Sequence, residues 1–311
     1  MNSLVHIGAY FSPRFAYVVT PLRERLAATL RYPLEGEVGW ERIFNPQVVF
    51  WRLHQWFTVQ RVKPGRAVVA LPPGHFLVRA HVLPALSEAD MHGYLLSQHR
   101  TMSLVPMRDP EFRVLPLAQE KDRVRAVLVA VERETLFAYF DIWEALGFTV
   151  ERVEHPLSAL ARAVPDPSWG EGGSSGVKAL VVAGADRVLL SLSEGGIPVL
   201  VRDLPSAVSK DEEGELIEEI LSTLARLESF YPGAWGPEWE VGGTVEQVAL
   251  FGEEDVRATF LEAVGDRLAQ EYGSRSLVFP QVSFERAVLE GLIETRELTA
   301  GHSSKRGGEW A

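Results

Sequence analysis

Residues 67–90 read AVVALPPGHFLVRAHVLPALSEAD, and this stretch decides the fold. Residues 67–71 form a continuous apolar run that stops at two prolines and a glycine, which predicts a buried strand. Residues 76–83 alternate along the chain and predict a second strand. Ser87 with Glu88 and Asp90 after it is typical of a helix N-terminus, because the hydroxyl caps free N–H groups and the carboxylates suit the helix dipole. A buried strand is therefore followed by a separate strand–helix unit.

The following residues complete that unit. The predicted elements are strands at 112–117, 124–131 and 148–153 and a helix from about 134 to 146. Gly147 suits the left-handed position that ends a helix. The order strand–helix–strand–strand–helix–strand predicts an inserted split βαβ subdomain at residues 74–155.

The two ends of the chain resemble each other. A strand leads into Ile7-Gly8-Ala9 and another strand follows, and the same arrangement recurs around Ala183-Gly184-Ala185. Such a repeat indicates an internal duplication and an α/β protein with two similar halves. The predicted division is a first lobe at 1–73, the insertion at 74–155, a helix returning to the first lobe at 156–164, a linker at 165–176, a second lobe at 177–298 and a disordered tail at 299–311.

These features resemble the actin-like ATPase superfamily, and within it the branch of PilM and FtsA. The resemblance covers residues 3–296 and is most specific at 67–164, which includes VLVAVERETLFAYFDIWEALGFTVERVEHPLSALARAV at 127–164. It implies an actin-like (ribonuclease H-like) fold, in which two lobes enclose a nucleotide cleft and the first lobe carries the inserted subdomain.

The positions that would meet a nucleotide depart from that superfamily. Its members usually carry an aspartate before Ile-Gly in each hairpin, where the carboxylate holds Mg²⁺ and its water while glycine N–H groups approach the phosphates. Here His6 precedes Ile7-Gly8, and Val182 precedes Ala183-Gly184. A third turn, after Gly252, runs into Glu253-Glu254-Asp255, whose charges would repel a triphosphate. We expect a degenerate site with no catalytic residue and without bound ATP or Mg²⁺.

The resemblance also implies a partner. Members of this branch bind the short cytoplasmic tail of an inner-membrane protein, PilN, between the insertion and the first lobe. An extended tail can add to a strand edge and place alternate side chains in pockets. The candidate contacts are Phe76, Val78, Arg79, His81 and Tyr139. The expected function is a non-catalytic adaptor of type IV pilus or competence pilus assembly.

Composition excludes several classes. The formal net charge of −11 disfavours broad nucleic-acid binding, since phosphates require clustered cations. The chain has no cysteine, which excludes disulfides and thiolate sites. His92 and His99 are too far apart on one helix to bind one ion, so we expect no metal site. No signal peptide or spanning helix is recognisable, so we expect a cytoplasmic protein on the inner face of the inner membrane that contacts the membrane only through its partner.

Two other functions stay open. One is a platform protein of the PilM or GspL type, in a pilus or type II secretion machine, that still binds ATP. The other is a small-molecule kinase of the same superfamily (ASKHA type), which the missing aspartates disfavour.

Trp235 and Trp239 lie in a loop rich in proline and glycine, where an exposed tryptophan would suggest a partner site. The oligomeric state, the partner's motif and the kind of machine do not follow from the sequence.

Overall fold

Each half of the chain builds one large β-sheet. A computed structural model describes residues 5–19, 21–22, 25–26, 30–102, 104–163, 177–184, 186–205, 213–235, 239, 245–273, 277–278, 282–294 and 309–310. The predicted linker at 165–176 lies outside the described residues, as does most of the predicted tail. Within the described residues, no helix combines the length and the apolar character needed to cross a bilayer.

The first lobe contains a six-stranded sheet and a short separate hairpin. Four strands of the sheet come from the start of the chain: β1 (Val5–Phe11), β2 (Phe15–Val19), β5 (Leu30–Pro33) and β6 (Gly65–Ala70). The separate hairpin consists of β3 (Pro21–Leu22) and β4 (Arg25–Leu26). Two later strands, β10 (Thr149–Glu154) and β16 (Glu309–Trp310), extend the sheet, whose order is β16-β10-β6-β1-β2-β5. The strands β10, β6 and β1 are parallel, whereas β2 and β5 form an antiparallel meander with β1.

Helices cover both faces of this sheet. On one face lie α1 (Pro46–Gln60) and α3 (Arg133–Ala145), which meet where Phe57 contacts Trp143. Alternation along β1 sends Ile7, Ala9 and Phe11 into this layer. Tyr10 points to the other face, where α4 (Pro156–Ala163) and α7 (Phe284–Glu294) pack.

The inserted unit is a three-stranded antiparallel sheet under one helix. It consists of β7 (Phe76–Pro84), α2 (Glu88–Met102), β8 (Pro110–Glu120) and β9 (Arg123–Glu132), with the sheet order β7-β9-β8. One face carries Leu83, Leu128 and the apolar side of α2. The other face, which includes Val127 and Val129, belongs to the main core of the molecule.

The predicted end of the insertion at residue 155 is wrong. Thr149–Glu154 is not a fourth strand of the inserted sheet but pairs in parallel with Gly65–Ala70 of the first lobe. Helix α3 packs on α1 rather than on the inserted sheet's own helix. The separate sheet therefore ends at Glu132, because the apolar run at 148–153 completes the first-lobe sheet instead.

The second lobe repeats the arrangement of the first. Its elements are β11 (Val177–Ala183), β12 (Arg187–Glu194), β13 (Ile197–Pro205), α5 (Glu213–Phe230), β14 (Val245–Gly252), α6 (Ala258–Tyr272) and β15 (Leu277–Val278). The sheet order β13-β12-β11-β14-β15 corresponds strand by strand to β5-β2-β1-β6-β10 of the first lobe. Each neighbouring pair is parallel or antiparallel in the same way in both sheets. The shared topology agrees with the duplication predicted from the glycine turns.

A close helix crossing and a C-terminal strand complete the fold. Helices α4 and α7 cross so closely that a side chain at Gly291 would overlap the backbone carbonyl of Ala159. At the C-terminal end, Glu309 and Trp310 pair in parallel with Arg152 and Val153 of β10. The prediction of a disordered tail is therefore wrong at these two residues, because a free strand edge is available to them.

Candidate functional site

Two hairpin turns face each other across the lobes, and we call the space between them the interlobe cleft. The first is the β1–β2 turn at Ser12-Pro13-Arg14, and the second is the β11–β12 turn, of which Gly184 and Asp186 are described. The Ser12 hydroxyl accepts the backbone N–H groups of Arg14 and Phe15, which closes the first turn. The second is closed by the Gly184 N–H, which donates to the carbonyl of Arg187. Both turns are thereby fixed by their own hydrogen bonds.

Ion pairs cross the interlobe cleft. Arg14 Nη2 lies 2.8 Å from Asp186 Oδ1, and Arg14 Nη1 lies 3.7 Å from Asp255 Oδ2. Arg31 of β5 reaches Glu254 at 3.1 Å and Asp255 at 3.2 Å. The first lobe therefore supplies the cations and the second lobe supplies the carboxylates.

Aromatic side chains fill the floor of the cleft. Tyr10 is fully buried, stacks on Tyr17 with 6.0 Å between ring centroids, and meets Phe284 edge-on at 5.7 Å. The Arg31 guanidinium lies 3.4 Å from the centroid of the Phe15 ring. This cluster joins β1 and β2 of the first lobe to α7, so the floor is packed side chains.

A buried carboxylate lies beside this cluster. Glu285 Oε1 accepts the Tyr17 hydroxyl at 3.3 Å and the Glu254 N–H at 3.3 Å. Burial raises the pKa of Glu285 and, together with the charge of Glu285, raises the pKa of Tyr17. Burial also raises the pKa of Tyr10, with Glu253 as the next cause. Both tyrosines are therefore neutral at physiological pH, and Tyr17 acts as a hydrogen-bond donor to Glu285.

The candidate cleft positions from the sequence lie at the edges of these features. Gly8 sits within β1 between Val19 and Val68, and Val182 is 3% exposed in an apolar cluster with Tyr10. His6 lies in β1, but its side chain is outside the described part of the structure. A Cβ atom on Gly184 would lie 2.6 Å from Glu253 Oε2.

The surroundings of Gly184 and Gly252 decide what chemistry the cleft offers. Because the Glu253 carboxylate lies against Gly184, a polyphosphate placed there would meet a like charge. A Cβ on Gly252 would meet Val256 and Leu261, so that turn is packed by apolar groups. Among the described residues, no group of three or more His, Asp or Glu side chains could hold a metal ion.

Four of the five peptide-site candidates lie on β7, on its two opposite faces. Phe76 and Val78 turn toward the main core, and Phe76 is 8% exposed. Arg79 is exposed and donates to the carbonyl of Leu104 at 2.9 Å, on the α2 side of the sheet. His81 is half-buried, and burial followed by the charge of Arg79 lowers its pKa. Alternation therefore prevents these four side chains from lining one pocket wall.

The fifth candidate, Tyr139, is wrong as a surface contact. Its side chain is fully buried in α3, where its ring lies 5.1 Å from Phe11 and 5.8 Å from His75. The residue occupies the core between the first-lobe sheet and its helices. Helical spacing alone cannot distinguish the inner face of α3 from an outer one when both carry aromatic residues.

The outer edge of β7, opposite β9, is the candidate backbone binding surface, and β7 also lies close to β13 and to residues 232–235 of the second lobe. β7 pairs with β9 on one side, and no described strand pairs with its other side. Where β7 begins, Phe76 contacts His155 at the end of β10, with 5.2 Å between ring centroids. This contact marks the junction between the inserted sheet and the first lobe.

Solved structures share this architecture. A chain of the PilM-PilN type IV pilus biogenesis complex is 16% identical, with a TM-score of 0.65, and the match covers 93% of this chain and 96% of that one. The cytoplasmic domain of EpsL, an inner membrane component of the type II secretion system of Vibrio cholerae, is 14% identical, with a TM-score of 0.50 and 96% of both chains covered. MreB 5 of Spiroplasma citri bound to AMPPNP is 9% identical, with a TM-score of 0.53 over 96% of this chain and 97% of that one.

The chain has an actin-like fold. Comparisons with family models and with curated proteins give no match, so the likeness is one of structure. In this actin-like frame the two hairpins that border the interlobe cleft are the β1–β2 and β11–β12 pairs, which the duplication relates to each other.

One cluster within the actin-like frame was missed by sequence reasoning. Arg125 of β9 is 7% exposed and pairs with Glu194 of β12, and the Tyr231 hydroxyl donates to the same carboxylate. The Arg125 guanidinium lies 4.9 Å from the ring centroid of Trp235 and 5.8 Å from that of Trp239. The cluster fastens the inserted sheet to the second lobe.

Both tryptophans of this cluster are buried, so the expectation that one of them marks an exposed partner site is wrong. The surrounding loop residues suggested exposure, but both rings pack against the buried Arg125 guanidinium. The only signal in the sequence was an arginine within an otherwise apolar strand, which is typical of a paired buried charge.

Proposed function

We propose that this chain is a non-catalytic adaptor of a pilus or related secretion machine, and that it binds the short cytoplasmic tail of a PilN-like inner-membrane protein. The observation that carries the proposal is the direct bridging of the two hairpin turns by Arg14 and Asp186. In an actin-like fold a nucleotide would separate these turns, and here side chains of the protein connect them.

The charges around the cleft support the non-catalytic part of the proposal. Arg14 and Arg31, the cations that could meet phosphate, are already paired with Asp186, Glu254 and Asp255. Phosphoryl transfer depends on a carboxylate that positions Mg²⁺ and on free donors for the developing charge. At the strand position where the superfamily carries such a carboxylate, the second lobe has the buried Val182.

The similarity of the fold to known structures supports a role in a pilus or secretion machine. The protein with the higher TM-score comes from a pilus biogenesis complex, and EpsL is a component of a type II secretion system. The adaptor would work on the cytoplasmic side of the inner membrane, where a partner's tail is accessible.

The outer edge of β7 is the proposed site for this tail. An extended peptide would hydrogen-bond to the backbone of this edge and run toward the Phe76–His155 junction. The side chains that flank the edge are Val78, Arg79 and His81, which are half-buried or exposed.

Calorimetry tests the two parts separately. We expect no heat of binding when Mg²⁺-ATP is titrated into the protein, and we expect 1:1 binding, with a Kd on the order of 1 µM, for the cytoplasmic segment of a bitopic membrane protein encoded beside this one. Arg79→Glu should weaken peptide binding, whereas Arg100→Glu, an exposed site on α2, should leave it unchanged.

The outcomes distinguish the alternatives. Micromolar binding of Mg²⁺-ATP without turnover would support the ATP-binding platform, and phosphoryl transfer to a small molecule would support the kinase. Absence of binding to every such tail, with a folded protein, would overturn the adaptor proposal.

A further inference from the structure

Helix α1 has apolar side chains on two opposite faces. Its inner face buries Val49, Leu53 and Phe57 against the first-lobe sheet. On its outer face Trp51 is 65% exposed and Val59 is 70% exposed. A surface helix normally presents a polar face to water, so two large exposed apolar side chains among the polar residues of this face indicate a surface that something else covers.

The outer residues form a stripe. Trp51, Gln55 and Val59 follow one another at four-residue spacing and therefore lie along one side of the helix. Before the helix, Phe44 is 56% exposed, and the Arg42 guanidinium lies 4.8 Å from the centroid of its ring. We call Phe44, Trp51 and Val59, with Arg42, Arg61 and Lys63, the α1 outer surface.

The charge of this region is opposite to that of the whole chain. Residues 42–87 contain six Lys and Arg residues and no Asp or Glu, although the chain carries a formal net charge of −11. Arg52 pairs with Glu35, and Arg66 pairs with Glu151. Among the described residues Arg42, Arg61 and Lys63 have no ion-pair partner, and they lie before and after the stripe formed by Trp51, Gln55 and Val59.

We propose that the α1 outer surface rests directly on an anionic lipid bilayer. Tryptophan, phenylalanine and valine side chains can enter the headgroup region, while arginine and lysine meet lipid phosphates. Phe44, Trp51 and Val59 are each more than half exposed, so their side chains are accessible to the headgroup region of a bilayer. The cations at both ends make the expected occupant negatively charged.

Neighbouring acids set the strength of this contact. Glu41 precedes the surface, and the adjacent helix α3 exposes Glu134, Asp141 and Glu144. These carboxylates oppose an anionic bilayer, so the surface acts as a weak orienting contact rather than as a sole anchor. A weak contact of this kind adds to a second attachment such as a bound membrane-protein tail.

The proposal goes beyond tail binding and is tested without any partner. The protein is floated with protein-free vesicles of phosphatidylcholine alone or with about one-quarter phosphatidylglycerol, at an ionic strength of about 0.05 M. We expect binding to the anionic vesicles only, and loss of that binding at about 0.5 M salt. Failure of a tail to bind in calorimetry would leave this result unaffected.

Two variants locate the contact. Arg61→Glu/Lys63→Glu and Trp51→Ala/Val59→Ser should each lower the vesicle partition coefficient by at least about tenfold. The matched controls are Arg202→Glu and Phe230→Ala in the second lobe, both at exposed positions, and they should bind like the parent protein. Unchanged circular dichroism and thermal unfolding confirm that each variant is folded.

Three outcomes would overturn the proposal. The first is absence of binding to anionic vesicles at low salt. The second is equal binding by the parent protein and both double variants. The third is self-association of the parent protein in sedimentation velocity that Trp51→Ala/Val59→Ser abolishes, because this surface would then be covered by a second copy of the chain.

Discussion

Arg14 and Asp186, which lie at equivalent turns of the two duplicated halves, are joined by an ion pair of 2.8 Å. The pair bridges the two turns that border the interlobe cleft, while Tyr10 and Tyr17 fill the floor of the cleft. Both charged side chains are about half exposed, so the pair contributes little to the free energy of unfolding. Because its two charges lie on different lobes, the pair bears on how close the two turns lie.

Reversing the first-lobe charges should therefore open the cleft. In Arg14→Glu/Arg31→Glu, carboxylates would face Asp186, Glu254 and Asp255, and like charges repel. We expect a longer distance between spin labels at positions 47 and 262, with a change in unfolding free energy below about 1 kcal/mol per pair. The chain has no cysteine, so both labels can be placed specifically.

A charge exchange serves as the control for that experiment. Arg14→Asp with Asp186→Arg should keep the distance of the parent protein. An unchanged distance distribution in Arg14→Glu/Arg31→Glu would show that these ion pairs do not hold the lobes together.

Restoring a carboxylate at the second hairpin should destabilise the protein. Val182 is 3% exposed in an apolar cluster with Phe251, so Val182→Asp would bury a charge without a partner. We expect urea unfolding at pH 7 to show a loss of about 3 kcal/mol or more, with partial recovery at pH 5 as the carboxyl group protonates. Val59→Asp, at an exposed site, should cost far less. A stable Val182→Asp variant that binds Mg²⁺-ATP would contradict our description of the cleft.

Much of the fold follows from local patterns. The glycine turns and buried strands predicted both hairpins, and the helix predicted from about 134 to 146 is observed at Arg133–Ala145. Helix α1 begins in a similarly local way, because the Asn45 side chain accepts the Val48 N–H. These features depend on a few adjacent residues and are therefore visible in the sequence.

Long-range pairings were not predictable in the same way. Whether residues 148–153 join the inserted sheet or the first-lobe sheet depends on β6, about 80 residues earlier in the chain. For the candidate site, the glycines were located from the sequence, but Arg14 and Arg31 were not. Their partners lie 172 and 224 residues away along the chain, and a local sequence pattern cannot indicate which distant residue will form an ion pair.

The Arg125 cluster should be costly to break from one side. Arg125→Met would leave the Glu194 carboxylate without its cation in a buried site, and we expect a loss of about 3 kcal/mol or more in chemical unfolding. The double variant Arg125→Met/Glu194→Gln should regain most of this loss, because a neutral amide can still accept the Tyr231 hydroxyl. Arg108→Ala, on an exposed loop, is the control. Equal stabilities of the single and double variants would mean that the pair is solvated.

Two buried histidines should make the protein sensitive to acid. Burial lowers the pKa of His155 to about 3 and that of His75 to about 4, whereas both take up protons near pH 6.5 when unfolded. Each histidine therefore contributes stability above pH 6.5 that is lost as the pH falls toward the folded-state pKa, at about 1.4 kcal/mol per pH unit.

The variant His155→Asn isolates one of these contributions. The asparagine oxygen can still accept the Leu157 N–H at the start of α4, as His155 Nδ1 does, but it does not titrate. Its unfolding free energy should decline less steeply than that of the parent protein between pH 6.5 and 4. Parallel profiles for His155→Asn and the parent would show that the unfolded and folded states bind this proton equally.

The crossing of α4 and α7 predicts opposite effects for one substitution at two glycines. At Gly291 a methyl group would overlap the carbonyl of Ala159, and a backbone group cannot turn away as a side chain can. Gly291→Ala should therefore separate the two helices and lower the unfolding free energy by about 3 kcal/mol. At Gly93 of α2 nothing lies within 4 Å of the added carbon, so Gly93→Ala should stabilise the helix by about 1 kcal/mol. Because both changes add the same group to a helix, propensity would shift them alike, and only the close helix crossing between the lobes makes them differ in sign.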